Sequence, residues 1–171
     1  MLKKNIVLIG MMAAGKTTIG FKLAKKLKFH FIDIDSQIEK SENKKIIDIF
    51  KDKGEEYFRK IEEKTTLSYL NKTNSVISIG GGAFLNSKIR KKIKNNSRSV
   101  WLSWKFKTIL TRLSRNKRRP VVLKLNKNDL ANLYKKRVKF YKMSEFKINC
   151  EHKNKNEIIN QITKIIKNED S

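Results

Sequence analysis

The chain has 171 residues, with 41 Lys and Arg against 16 Asp and Glu, a formal net charge of +25. That length suits one domain spanning 1–171 with a core of ordinary size, and 39% hydrophobic residues with a single Pro argue against disorder. One cysteine excludes an intramolecular disulfide and a cysteine-built metal framework, and the apolar run after Met1-Leu2-Lys3-Lys4 is too short for a leader or a membrane span, so the expectation is a soluble, cytoplasmic protein.

In chain order, Asn5 to Ile9 reads as a buried strand. It runs into Gly10-Met11-Met12-Ala13-Ala14-Gly15-Lys16-Thr17, which fits the phosphate-binding pattern G-x-x-x-x-G-K-[ST]. Ile19, Leu23 and Leu27 then recur at helical spacing. His30 to Asp33 is a short second strand, and Ser36 to Leu70 is helical in period with a break at Gly54, after which Glu55 and Glu56 suit a helix start. Ser75 to Ile79 is a third strand closed by Gly80-Gly81-Gly82, and Asn86 or Ser87 caps a helix running to about Asn95. Val100 to Leu102 is a fourth strand, Lys107 to Leu113 a short helix, and 112–128 a cation-rich segment around Pro120. Asp129 to Met143 is helical, Phe146 to Cys150 a last strand with Cys150 as a small core residue, and Ile158, Ile162, Ile165 and Ile166 mark a closing amphipathic helix. This alternation predicts an α/β three-layer sandwich: a five-stranded parallel sheet with helices on both faces and ligands beyond the strand C-terminal ends.

The candidate chemistry gathers at those ends. Gly10 and Gly15 let the loop turn its N–H groups inward, Lys16 supplies a mobile positive charge, and the Thr17 hydroxyl can ligate Mg²⁺, with the helix dipole adding to the attraction for phosphate. Asp33 and Asp35 flank Ile34, and alternation along an extended chain would turn both carboxylates toward one site; the alternative is that Asp35 caps the next helix. A nucleotide hydrolase would put a metal-binding aspartate after the third strand, where this chain has glycines. Three consecutive glycines suit a backbone that approaches a small ligand, or a flexible turn. Arg112, Arg115, Arg118 and Arg119 gather near Pro120 as a lid would require, or as a basic surface loop would. Arg59 and Arg137 taken singly read as surface charge, and His30 and His152 belong to no cluster. Lysine is spread over nearly every segment without a face of interleaved aromatics, so no specific nucleic-acid partner is expected, only weak salt-sensitive adhesion to polyanions.

Taken together, Gly10 to Thr18, Asp33-Ile34-Asp35, Gly54-Glu55 with Phe58-Arg59, Gly80-Gly81-Gly82-Ala83, Arg118-Arg119-Pro120, and Arg137 with Tyr141 give a chain that resembles shikimate kinase from about Lys4 to Glu151. The resemblance implies a P-loop kinase fold with a mobile lid at about 112–128, substrate-binding helices over about 35–70, and ATP-dependent phosphorylation of the shikimate 3-hydroxyl by a monomer. It further implies that Gly10, Ala13, Ala14, Gly15, Lys16, Thr17 and Thr18 bind ATP and that Thr17 and Asp33 serve Mg²⁺. Asp35 would be the base, and Asp33, Arg59, Arg137 and Gly80 to Gly82 would hold shikimate. Arg119 would stabilise the transferring group and Arg112 would pack on adenine. Ala13 stands where that family often has glycine. Gluconate or a nucleoside monophosphate is the rival acceptor, and a basic nucleic-acid-binding P-loop protein the rival class.

Overall fold

The computed structural model describes residues 4–115 and 126–169. Its elements are β1 (Asn5–Ile9), α1 (Lys16–Leu27), β2 (His30–Asp33), α2 (Ile34–Glu42), α3 (Ile46–Tyr69), β3 (Ser75–Ser78), a 3-10 turn (Ala83–Leu85), α4 (Ser87–Asn96), β4 (Ser97–Ser103), α5 (Phe106–Ser114), α6 (Lys127–Tyr141), β5 (Phe146–Asn149) and α7 (Lys155–Glu169). The five strands lie in the order β2-β3-β1-β4-β5 and every pairing is parallel.

β1 lies between β3 and β4, with Ile6 opposite Val76 and Leu8 opposite Val100. Every residue of β1 is buried, as a central strand covered on both faces requires. The chain leaves β1 toward one sheet edge and later returns to its other side, so the loop after β1 opens at the point where strand order reverses. α1 packs on β2 and β3 and beside α7, whereas α3 and α4 pack together and α4 lies on β4. Ile19 and Leu23 are buried on α1, and Ile158 and Ile162 on α7, as the helical periods predict.

Of the boundaries that differ from the sequence expectation, two bear on the site. α2 begins at Ile34 directly after β2, because the Asp33 side chain caps it by accepting from the Ser36 N–H. The helical stretch also breaks twice: at Gly54 (φ 78°, ψ 175°), as expected, and at Asn43, whose left-handed backbone (φ 49°) ends α2. Asparagine tolerates that conformation better than most residues, so no glycine marks the turn. α4 is capped by Asn86, the first of the two residues expected there, its side chain accepting from the N–H groups of Lys88 and Ile89.

Candidate active site

A cleft of about 660 Å³ opens above β1 and β3, bounded among others by Gly15, Lys16, Thr17, Asp33, Asp35, Gly81 and Arg112. Its donor wall is the loop between β1 and α1. Gly15 is left-handed (φ 89°) at the α1 N-terminus, and a Cβ on Gly10 would stand 3.0 Å from the Leu102 carbonyl oxygen, so both glycines are required by geometry. Ala13 is also left-handed (φ 61°), a conformation that strains an L residue. The Lys16 ammonium donates to the carbonyls of Gly10 at 2.8 Å and Met11 at 3.0 Å, which holds the loop curled around its own cation.

Thr17 Oγ1 donates to Asp33 Oδ2 at 2.6 Å, joining the first turn of α1 to the end of β2. Asp35 lies in the first turn of α2 and borders the same cleft as Asp33. The two carboxylates therefore converge by a strand-to-helix transition, which replaces the alternation along a strand expected from the sequence. The helix cap is Asp33, not Asp35.

The acceptor wall is the glycine triplet, which meets the cleft at Gly81; Arg59, Glu62 and Arg137 rest on the triplet without lining the cleft itself. A Cβ on Gly82 would lie 2.7 Å from Arg59 Nη1, one on Gly81 2.9 Å from Arg137 Nη1, and one on Gly80 would collide with Glu62 Oε1 and stand 3.1 Å from Asp35 Oδ1. Only glycine fits this floor, because four charged side chains from α2, α3 and α6 rest on it. On α3, Arg59 Nη1 donates to Glu62 Oε2 at 2.7 Å, and Nη2 donates to Glu55 Oε1 at 3.1 Å. Burial works against the Arg59 charge, but these two carboxylates hold the guanidinium above its ordinary pKa. Arg59 is thus neutralised and aimed.

Arg137, on α6, is 8% exposed, and its Nε and Nη1 are buried without a hydrogen-bond partner. Burial lowers its pKa, and the neighbouring Arg59 charge lowers it further. One turn along, the buried Tyr141 donates to the Gly81 carbonyl at 2.5 Å and fixes the floor beneath Arg137. Burial pushes the Tyr141 phenol well above its usual range, so it stays a neutral donor.

Glu62 is the site residue that the sequence reading missed. It is 3% exposed and sits between Phe58 and Thr66 on the buried stripe of α3. Burial raises its carboxyl pKa, Asp35 adds to the rise, and Arg59 opposes it. A carboxylate on an otherwise core-facing helical period, three residues after an arginine, was the available signal.

Arg112 does border the cleft, with its guanidinium carbon 3.6 Å from the Trp104 ring centroid and Nη1 donating to the Ala13 carbonyl at 3.2 Å. Arg118, Arg119 and Pro120 lie outside the described residues, as does most of the expected lid. Cys150 is a buried core residue whose thiol is pushed up to about 12 by burial, which leaves it unreactive. Among the described residues no helix is long and apolar enough to cross a membrane, and no group of three or more His, Cys, Asp or Glu side chains is placed to hold a metal.

A phosphate loop at the reversal point of a parallel sheet, beside a hydroxyl–carboxylate pair and an arginine pocket for a small anion, defines a P-loop small-molecule kinase. The family model described as shikimate kinase matches residues 12–167. The chain belongs to the shikimate kinase family, whose reaction is ATP-dependent phosphorylation of shikimate. A curated shikimate kinase of Persephonella marina is 42% identical over 159 residues, covering 93% of this chain and 96% of the relative. The structure of shikimate kinase from Acinetobacter baumannii in complex with shikimate superposes with a TM-score of 0.91 at 30% identity, covering 98% of this chain and 94% of that one. A gluconokinase from Sinorhizobium meliloti, at 15% identity and TM-score 0.57, with 98% of this chain and 95% of that one covered, shares the fold alone.

Proposed function

We propose that the cleft passes the γ-phosphoryl group of ATP to the 3-hydroxyl of shikimate, with the donor held by residues 10–18 and the acceptor held between Arg59, Arg137 and the glycine floor. The observation that carries this reading is the pair of unpartnered buried donors on Arg137. A buried guanidinium without an acceptor is costly, and a substrate carboxylate supplies that acceptor with matching planar geometry. Arg59, pinned by Glu62 and Glu55, offers a second cation whose direction is already set. The complex of the Acinetobacter baumannii relative with shikimate supports the same assignment of ligand.

In this reading Asp35 accepts the proton of the attacking hydroxyl as its oxygen bonds to the γ-phosphorus and the bond to the leaving ADP oxygen breaks. Lys16 leaves the Gly10 and Met11 carbonyls for the β- and γ-phosphates, and Arg119 reaches the transferring group from the lid. Arg112 donates to the Ala13 carbonyl at 3.2 Å and borders the cleft, in position to face the base of the nucleotide. The Thr17 hydroxyl and the Asp33 carboxylate are hard oxygen donors in mutual contact, which fits Mg²⁺, an ion that takes most of its ligands from phosphate and water rather than from a protein cage. When bound, Mg²⁺ would offset phosphate charge, with Thr17 and Asp33 as its protein anchors. All of these residues lie on one chain, so the reading needs none from a second copy.

The test is ADP release with shikimate, gluconate and several nucleoside monophosphates as separate acceptors. Release that depends on shikimate and is absent with the others is the expected result. Turnover of another acceptor with none of shikimate would overturn the proposal.

A further inference from the structure

The segment 116–125 is flanked by α5 before it and α6 after it, and both flanks are fastened to Trp104 in the turn between β4 and α5. Trp104 is 7% exposed. Its indole Nε1 donates to the Ala14 carbonyl at 3.0 Å, across 90 residues of sequence. The Arg112 guanidinium from α5 stacks on the indole with its carbon 3.6 Å from the ring centroid and donates onward to the Ala13 carbonyl at 3.2 Å. From α6, Tyr134 donates its hydroxyl to the Trp104 carbonyl at 2.8 Å, and its ring meets Phe106 at 5.4 Å. One side chain thus takes hold of the phosphate loop directly, and through Arg112 a second time.

We infer that Trp104 is a positioning residue for the nucleotide: it orients the Ala14–Gly15 peptide and presents Arg112 to the donor side of the cleft. In a planar trans peptide the C=O and the following N–H point in opposite directions. Binding the Ala14 carbonyl to the indole therefore turns the Gly15 N–H away from Trp104, on a residue that borders the cleft. The neighbouring peptide is fixed likewise, since Arg112 takes the Ala13 carbonyl while the Ala14 N–H closes a turn on Met11 at 3.1 Å. Ala13 sits in a strained left-handed conformation between these anchors, so a loop deprived of them would relax away from its cradle shape. The stack also confines Arg112 to the plane of the indole, which lowers the ordering cost of placing a long cation against a ligand.

This inference rests on the reading of the cleft as an ATP site, and two experiments separate the two. In Trp104→Phe an aromatic face remains for Arg112 while the N–H donor is lost together with part of the ring; KM for ATP should rise about 3- to 10-fold, on the scale of one hydrogen bond, while kcat and KM for shikimate stay within two-fold. Trp104→Leu removes the platform as well and should raise KM for ATP further. In that background Arg112→Ala should add less than it does in the Trp104→Phe background. A folded Trp104→Phe protein whose KM for ATP is unchanged, or whose KM for shikimate rises equally, would overturn the assignment. The second experiment needs no turnover: in Trp101→Phe, Trp104 is the one remaining indole, and ATP titration should change its emission as the nucleotide settles against the Arg112–Trp104 stack, whereas shikimate alone should not. Emission that is silent to ATP while ATP binding is evident from thermal shift would overturn it. Absence of shikimate-dependent ADP release in the unmodified chain would instead overturn the reading beneath, and this titration would still decide the role of Trp104.

Discussion

Replacing Arg137 by methionine should make the protein more stable and less able to bind its acceptor. Two guanidinium nitrogens of Arg137 are buried without partners, and a buried group left in that state costs about 1–3 kcal/mol. Against this stand the interaction with the Tyr141 hydroxyl and, after it, the attraction to Glu62, both of which oppose the pKa depression caused by burial and are lost with the charge. A net gain of about 1–2 kcal/mol follows, since methionine fills much of the same volume with an adaptable side chain. For a domain of this size each kcal/mol moves Tm by about 2–4 °C, so the melting temperature should rise by about 2–8 °C. The opposite effect falls on shikimate: losing one member of a desolvated charge pair costs about 2–5 kcal/mol, so kcat/KM for shikimate should fall by about 30-fold or more while KM for ATP stays near its starting value. Thermal unfolding with and without shikimate, beside steady-state ADP release, reads both. Shikimate should raise the Tm of the unmodified protein and leave that of the variant unmoved. If Arg137→Met lowers Tm and shifts KM for shikimate by less than about three-fold, Arg137 is a structural cation and the reasoning from its unpartnered donors is wrong.

Asp35→Asn should lower kcat by about 10²- to 10⁴-fold with ATP affinity, read by thermal shift, within about two-fold; turnover that stays within a few-fold would remove Asp35 as the base. Ala13→Gly relieves a left-handed alanine (φ 61°) that costs roughly 1–2 kcal/mol and adds a smaller unfolded-state entropy penalty, so Tm should rise by about 1–4 °C and KM for ATP should not increase. A lower Tm would show that the methyl is a packing group there. Burial holds the Glu62 carboxyl above the ordinary carboxylate value of about 4.5, so the fold favours its protonated form: that favourable contribution is complete below about 4.5 and is lost as pH rises through the folded-state value. Glu62→Gln should therefore gain stability relative to the unmodified protein as pH climbs from about 4.5 to 7, while KM for shikimate rises because Arg59 loses its anchor. A stability difference that does not vary over that range would contradict the assignment.

How much could be read from the chain itself depended on whether a feature was local. Asn5 to Ile9 and the loop through Thr17 carry their structure in consecutive residues, so strand, loop and helix fall where the pattern puts them. The Asp33–Asp35 pair was placed in the right cleft for the wrong geometric reason, because a side-chain cap at Asp33 ends the strand one residue before alternation would matter. The break at Asn43 uses a residue that is common in ordinary loops and helix surfaces, and so it gave no punctuation. Glu62, Trp104 and Tyr134 matter through contacts with residues far away in sequence, which no window of neighbours contains. The triplet shows the limit most plainly: the glycines are visible, but what they make room for is four charged side chains from three helices.

The net charge of +25 drew attention to the cations, yet the carboxylates are the more informative population. Ten of the sixteen fall between Asp33 and Glu63, on the arm that carries the acceptor wall. Some of them make exposed pairs such as Lys44–Asp52 and Lys45–Glu39, each worth little in water. Glu62 is different, because it is buried and meets an arginine already placed against the glycine floor. Arg59, Arg137, Asp35 and Glu62 sum to zero charge, but neutrality is not saturation: Glu62 is spent on Arg59, and Arg137 keeps donors without acceptors. An acceptor that brings one carboxylate to Arg137 and a hydroxyl toward Asp35 completes this set. A purely cationic pocket would attract any anion, including the polyanions a basic surface invites. Asp35 and Glu62 offset the two arginines and leave a place at Arg137 for one carboxylate, so selectivity among anions comes from how the acids are placed and not from the abundance of lysine.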